Sequence, residues 1–213
     1  MSNKKLFKVK EGDKYFLRNI NSLLLKNYED DKLQKIVSNR ILKFKNKKIK
    51  VLEIGCGDGK RLTFLKKKFR NVKFYGLEPS KRATKNNHKL NVIKIGTAEK
   101  LPFKDNFFEI IIFGFCLYLT DNEDLFTIAN EAYRTTKDKS WIIIEDFDTD
   151  QTYFKHYKYN KKIKIRKMDY SKMFLWHPNL SLYSKEKYNH NGNSWTDNID
   201  NHVSISQIRK NVK

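Results

Sequence analysis

From residue 49 onward, short apolar runs of four to six residues recur, separated by charged stretches of helical period. The runs are IKVLEI (49–54), KFYGLE (73–78), NVIKI (91–95), FEIIIF (108–113) and WIIIED (141–146), rich in Ile, Val and Phe and without strict alternation. Such runs suit strands covered on both faces. The stretches between them, KRLTFLKKKFR, SKRATKNNHK and NEDLFTIANEAYRTT, read as amphipathic or solvent-facing helices. Strands alternating with helices at this spacing predict βαβ units, right-handed crossovers and a parallel sheet.

Both flanks have a different texture. Residues 1–48 carry LRNINSLLLKNY and DKLQKIVSNRILKF, with Leu33, Ile36, Val37 and Ile41 at helical spacing, and are expected to form an N-terminal helical lid. The central unit is 49–150. Residues 151–213 open with the basic, aromatic QTYFKHYKYNKKIKIRK and are expected to form an insertion on the substrate side. Leu180 and Leu182, then Val203 and Ile205, predict two closing antiparallel strands, and the whole is expected to fold as one domain.

Composition narrows the class. No apolar run approaches the roughly 18 residues of a membrane span, and the opening MSNKKLFKVKEGDKYF lacks a signal-like stretch, so a cytoplasmic protein is expected. Cys56 and Cys116 lack the spacing of a metal or redox motif. The formal charge of +21 raises nucleic acid as a partner. It is unevenly placed along the chain: 15 basic and 5 acidic residues over 1–50, 17 and 15 over 51–150, and 13 and 4 over 151–213. The centre is balanced and the flanks are basic.

The sharpest motif is VLEIGCGDGKRL (51–62), where a strand ends in Gly55-Cys56-Gly57-Asp58-Gly59 and a helix begins. Glycines there allow a tight turn and let a ligand lie against backbone amides. A dinucleotide fingerprint would place its third glycine at position 60, which is Lys60. Glu53 and Asp58 would repel a pyrophosphate, so a ligand bearing cationic groups fits better. S-adenosylmethionine, with a sulfonium and an ammonium, is such a ligand. Its ribose calls for a carboxylate at the end of the second strand, where Glu78 lies in YGLEPS.

With LEIGCGDG, GLEPS, GTAEKLPFKDNFFEIIIFGFCLYL and EAYRTTKDKSWIIIEDF, the chain resembles the class I S-adenosylmethionine-dependent methyltransferases, in particular the type 11 family, over about residues 49–148. The resemblance implies a Rossmann-like sheet, mostly parallel with an antiparallel final strand, flanked by helices. It implies that Gly55, Cys56 and Gly57 meet the methionine part, Glu78 the ribose, and Thr97, Ala98 and Glu99 lie near the adenine, with Glu53, Gly59 and Pro79 also in the cofactor site. Phe113, Gly114 and Phe115 would pass beneath the sulfonium. Thr97 stands where the family usually has Asp, Glu109 replaces an Asp at the start of the fourth strand, and Lys137 and Asp138 replace glycines before the fifth.

Substrate-facing groups are expected at the ends of the fourth and fifth strands and in the C-terminal segment. Tyr118 and Asp146 are candidates, with Asp148 and Tyr170 beside them, and His177 is the candidate base because imidazole titrates near neutrality. Arg18 is a candidate for binding a carboxylate of cofactor or substrate as the lid closes. The N/D-P-P-Y run of amino-group DNA methylation is absent: the site reads FGFCLYL. The expected function is methylation of a small molecule, such as a sugar or metabolite hydroxyl of a biosynthetic pathway. The alternatives are RNA methylation through the basic flanks, with Tyr153, Phe154, Tyr157 and Tyr159 among lysines, and a silent cofactor-binding partner subunit.

Overall fold

The apolar runs fold as strands of one sheet in a computed structural model that describes residues 2–25, 27–45, 47–87, 92–192 and 195–212, with the side chains of 22–24 left out. The strands are β1 (Ile49–Ile54), β2 (Val72–Glu78), β3 (Ile93–Ile95), β4 (Phe108–Gly114), β5 (Thr136–Phe147), β8 (Leu180–Asn189) and β9 (His202–Lys210). Their order is β3-β2-β1-β4-β5-β9-β8. β1 to β5 pair in parallel, and β9 runs antiparallel to both β5 and β8. The chain moves outward from β1 to β3, then restarts beside β1 at β4. That reversal opens a crevice at the carboxyl edge between β1 and β4.

Both faces of the sheet are covered, as the unalternating runs require. Val51, Ile110, Ile112 and Ile143 pack under α3 (Lys32–Leu42) and α4 (Lys60–Lys68), against Leu33, Val37, Leu62 and Leu65. Leu52, Ile54, Ile111, Phe113 and Ile142 pack under α6 (Leu125–Thr135), against Ile128, Ala129 and Ala132. Each large apolar side chain so buried contributes roughly 1.5–3 kcal/mol before entropy is subtracted.

Some elements differ from the sequence reading. β5 begins five residues early, and its pairing with β4 shifts register between Phe108 and Ile110; Lys139, at φ 53, takes the positive angle that a glycine usually supplies there. The helix expected over 80–89 is α5 (Lys81–Lys85), and residues 88–91 lie outside the described residues. The segment after Asp150 forms a separate hairpin, β6 (Tyr153–Tyr157) and β7 (Asn160–Lys167), followed by α7 (Lys172–Leu175).

That hairpin rests on the N-terminal helix. α1 (Asn3–Leu6) runs through a π-helical turn (Phe7–Glu11) into α2 (Gly12–Leu25). Phe7, Tyr157 and Ile163 form a small buried cluster between helix and hairpin. At Gly12 a Cβ would stand 2.8 Å from the Phe7 carbonyl, so the widened turn needs glycine where it closes.

The sheet also sorts charge. Register pairs Ile49 with Val72 and Lys50 with Lys73, so the segments leading into β1 and β2 meet at the amino edge. Residues 43–50 and 66–73 together bring ten Lys and Arg and no Asp or Glu.

Candidate functional site

At the carboxyl edge the loop after β1 turns through three left-handed glycines, Gly55 (φ 72), Gly57 (φ 56) and Gly59 (φ 72). The amides of Gly55 and Cys56 both donate to the Leu77 carbonyl, at 2.8 and 3.3 Å, which ties the loop to β2. Gly55 lies so close to the 116 turn that a Cβ would sit 2.8 Å from that of Cys116. Gly57 is the opposite case: among the described residues, a Cβ there would meet nothing within 4 Å.

Glu78 ends β2 facing this loop. Its Oε2 accepts from the Gly57 amide and its Oε1 from the Ser80 amide, each at 2.9 Å. Each oxygen keeps a lone pair for a further donor. Burial pushes the carboxyl up to about 7, against the two backbone hydrogen bonds, which favour the charged form.

Glu78 lines a cleft, together with Gly55, Pro79, Thr97, Ala98, Glu99, Phe115 and Cys116. The Thr97 hydroxyl donates to Glu99 at 2.6 Å and Lys8 reaches the same oxygen at 3.1 Å. Burial alone would raise the Glu99 carboxyl, but Thr97, its own backbone and Lys8 bring it below its ordinary value. Phe115 holds a left-handed φ of 51, strained for a bulky residue, with its amide donating to the Glu145 carbonyl at 2.8 Å.

The N-terminal helix roofs the cleft through Lys4, Phe7, Gly12 and Tyr15. It is fastened at both ends. The amides of Asn3 and Lys4 donate to the two oxygens of Asp121 at 2.7 and 2.8 Å, and Lys4 Nζ lies 2.9 Å from Asp124. Asp13 accepts from the Ser80 hydroxyl at 2.7 Å and the Arg82 amide at 3.0 Å. Under the roof the Tyr15 and Tyr118 hydroxyls meet at 3.4 Å. Burial raises both phenols, Tyr15 to about 12 and Tyr118 well above its ordinary value, so both stay protonated at neutral pH.

The structure does not bring all the sequence candidates to this cleft. His177 stacks on Tyr133 of α6 at 3.7 Å between ring centroids, and its Nδ1 accepts from the Asn179 amide. Tyr133 also meets Lys210, at the far end of β9, so this imidazole sits on the outside of α6 toward the amino edge and is no base for the cleft. Asp146 is a brace: its oxygens accept from the Leu117 and Phe147 amides, both at 2.8 Å, and burial raises it to about 7. It thereby sets the turn that carries Tyr118.

Arg18 turns to the hairpin, paired with Glu11 at 2.6 Å and lying over the Tyr159 ring at 4.6 Å. Glu53 projects to the α3–α4 face, where its Oε1 lies 3.4 Å from Arg61. Gly114 opens toward the same Arg61, and Phe113 packs on Phe174 in the core. The Cys56 and Cys116 thiols are both pushed well up by burial, which favours the neutral thiol over the thiolate. Gly59 caps α4. Asp148 and Tyr170 are engaged elsewhere, with Lys185 and the Arg166 carbonyl.

Sequence reading missed Tyr15, Asp121 and Asp124. Their chain distance from the glycine loop gives no spacing signal, and DNEDL reads as an ordinary helix start.

The comparisons agree with this arrangement. A family model described as a methyltransferase domain matches residues 52–144. Among solved structures, a S-adenosylmethionine-dependent methyltransferase from Methanosarcina mazei superposes with TM-score 0.64 at 14% identity, covering 81% of this chain and 97% of that one. A putative sarcosine dimethylglycine methyltransferase from Galdieria sulphuraria gives 0.63 at 14%, covering 84% and 85%. A Burkholderia thailandensis 1,6-didemethyltoxoflavin-N1-methyltransferase, with bound 1,6-didemethyltoxoflavin and S-adenosylhomocysteine, gives 0.63 at 10%, covering 94% and 87%. At these identities the likeness is one of fold. No curated protein matches the chain significantly. Residues 52–144 thus match a methyltransferase domain, and the strand order and glycine loop give the chain the fold of the S-adenosylmethionine-dependent methyltransferases it superposes on.

Proposed function

We propose that the roofed cleft binds S-adenosylmethionine and that the chain transfers its methyl group to a small-molecule acceptor. The observation that carries this reading is Glu78, a buried carboxylate joined to the Gly57 amide and open to the cleft through its remaining lone pairs. The residues fit such a ligand. The empty space beside Gly57 admits a close approach to the backbone, and Glu78 suits a pair of ribose hydroxyls. Thr97, Ala98 and Glu99 form the neighbouring wall, where an adenine would lie.

When bound, the cofactor supplies an electrophilic methyl group on a sulfonium. The chain's own part is alignment and exclusion of water. Phe115, Leu119 and Ile128 give the cleft apolar walls, and the N-terminal helix closes it above. The protonated phenol of Tyr15, which lines the cleft and is held by the Tyr118 hydroxyl behind it, offers a hydrogen bond that orients an acceptor beside Phe115. A cleft roofed by the N-terminal helix suits a compact acceptor, and the Burkholderia enzyme named above, with bound 1,6-didemethyltoxoflavin, is consistent with that class.

Incubation with isotopically labelled methyl donor and separate metabolite and RNA pools tests the reading by mass spectrometry. Label is expected in the metabolite fraction. Label confined to RNA would replace the acceptor class, and cofactor binding without transfer to either pool would make the chain a silent binding subunit.

A further inference from the structure

The amino edge of the sheet carries a feature that methyl transfer leaves unused. A groove there has an apolar floor including Ile49 and Phe69 and a rim of Lys47, Lys67, Lys68 and Arg70, all four exposed. Lys43, Lys45, Lys48 and Lys73 are exposed around it. Glu109, at the foot of β4, is already engaged by Lys137 and by the Lys50 amide.

Ten basic residues in two short segments is nearly half the formal charge of +21. Favourable interaction with the end of the α4 dipole explains a few cations in its last turn, Lys66 to Lys68. It does not explain Lys43 to Lys50 meeting them. The parallel register even sets Lys50 opposite Lys73, a like-charge pairing that works against the sheet. Such crowding is relieved when a polyanion replaces diffuse counterions.

From this juxtaposition we infer that the amino-edge groove is a docking site for a single-stranded RNA backbone. The rim can track phosphates on both sides, while Phe69 offers a ring to a base. A concave floor suits a strand better than a planar bilayer. The cleft lies at the opposite edge, so the strand is held as a tether and the site does not depend on which acceptor is methylated.

The test is fluorescence anisotropy of a labelled oligouridine of about 20 nucleotides, read between about 50 and 200 mM salt. Full-length protein is compared with the Lys47→Glu, Lys67→Glu, Lys68→Glu, Arg70→Glu combination, with the same positions changed to Gln, and with Lys158→Glu, Lys161→Glu, Lys162→Glu on the hairpin. Affinity for S-adenosylhomocysteine, unchanged in all, reports that each variant is folded. Amino-edge reversal is expected to weaken RNA binding more than about tenfold and to flatten the slope of log K against log salt by roughly 0.7 per lost phosphate contact. The Gln set is expected to follow it in part and the hairpin set to change binding less than about twofold. Absence of binding at low salt, equal loss from the hairpin set, or preferential binding of phosphatidylserine vesicles would overturn the proposal.

Discussion

At the carboxyl edge of the sheet, the loops after β2, β3 and β4 gather Glu78, Glu99, Asp121 and Asp124 around a roofed cleft. At the amino edge, the segments leading into β1 and β2 gather ten basic side chains with no carboxylate from either. Both edges follow from one cause. Parallel strands place all their starts on one side and all their ends on the other, so charge is sorted by position relative to a strand and not by position along the chain. Residues 51–150 are balanced as a stretch, 17 basic against 15 acidic, yet residues 66–73 within them hold five of those bases at one end of the molecule.

The two edges also differ in how much strain and burial they carry, which orders the expected effects of breaking them. The largest belongs to Gly55→Val. A side chain there would adopt a left-handed φ of 72 and run into Cys116 Cβ at 2.8 Å. A loss of about 2–4 kcal/mol is expected by denaturant titration. Gly57→Ala, with the same sign of φ but open space, should cost only about 1–2 kcal/mol.

Next in size is Glu78→Ala, which should weaken binding of S-adenosylhomocysteine by about 1–3 kcal/mol, read by calorimetry. Its pH dependence gives a signature of two opposed slopes. The folded carboxyl titrates near 7, above its ordinary 4.5, so the native state holds the proton more tightly. The stability this contributes is full below about 4.5 and is lost as pH rises through 7; Asp146, raised from 3.8 to about 7, adds in the same direction. Cofactor affinity should run the other way, rising through pH 7 as the carboxylate forms. Glu78→Gln should flatten the affinity profile and reduce the stability slope to the part that Asp146 supplies. A wild-type affinity independent of pH between 5 and 8 would dissociate Glu78 from the ribose.

Asp121→Ala removes the acceptor for two amides at the head of the roof. A loss of about 1–2 kcal/mol is expected locally, visible as faster hydrogen exchange over Asn3–Leu6 with the sheet unchanged. His177→Ala should have the smallest effect, under about twofold on methyl transfer, because its ring stacks on Tyr133 outside α6. A tenfold loss there would contradict the placement of the cleft.

Much of this architecture was legible in the sequence. Unalternating runs of Ile, Val and Phe are what a sheet covered on both faces requires, and all five became parallel strands. Gly55, Gly57 and Gly59 were legible because left-handed backbone favours glycine, and Glu78 because strand ends converge at one edge. What spacing left hidden was direction. Glu53 is one residue from the inward-packed Leu52 and Ile54, so strand alternation sends it to the α3–α4 face and to Arg61. Asp146 and His177 looked reactive as residue types, but their partners are backbone amides and an aromatic ring, which only folding supplies. The roof was expected as a lid, yet its fastening through Asp13 and Asp121 joins residues more than 60 positions apart and has no local signature.

The central claim is that the acidic carboxyl-edge cleft, and not the basic edge, holds the cofactor. Calorimetric titration of S-adenosylhomocysteine at pH 8 into wild type, Glu78→Ala and the amino-edge charge reversal tests it most directly. Binding of wild type and the reversal with equal affinity, and of Glu78→Ala at least about tenfold more weakly, is the predicted result. Equal affinity for wild type and Glu78→Ala, or loss confined to the amino-edge variant, would contradict it.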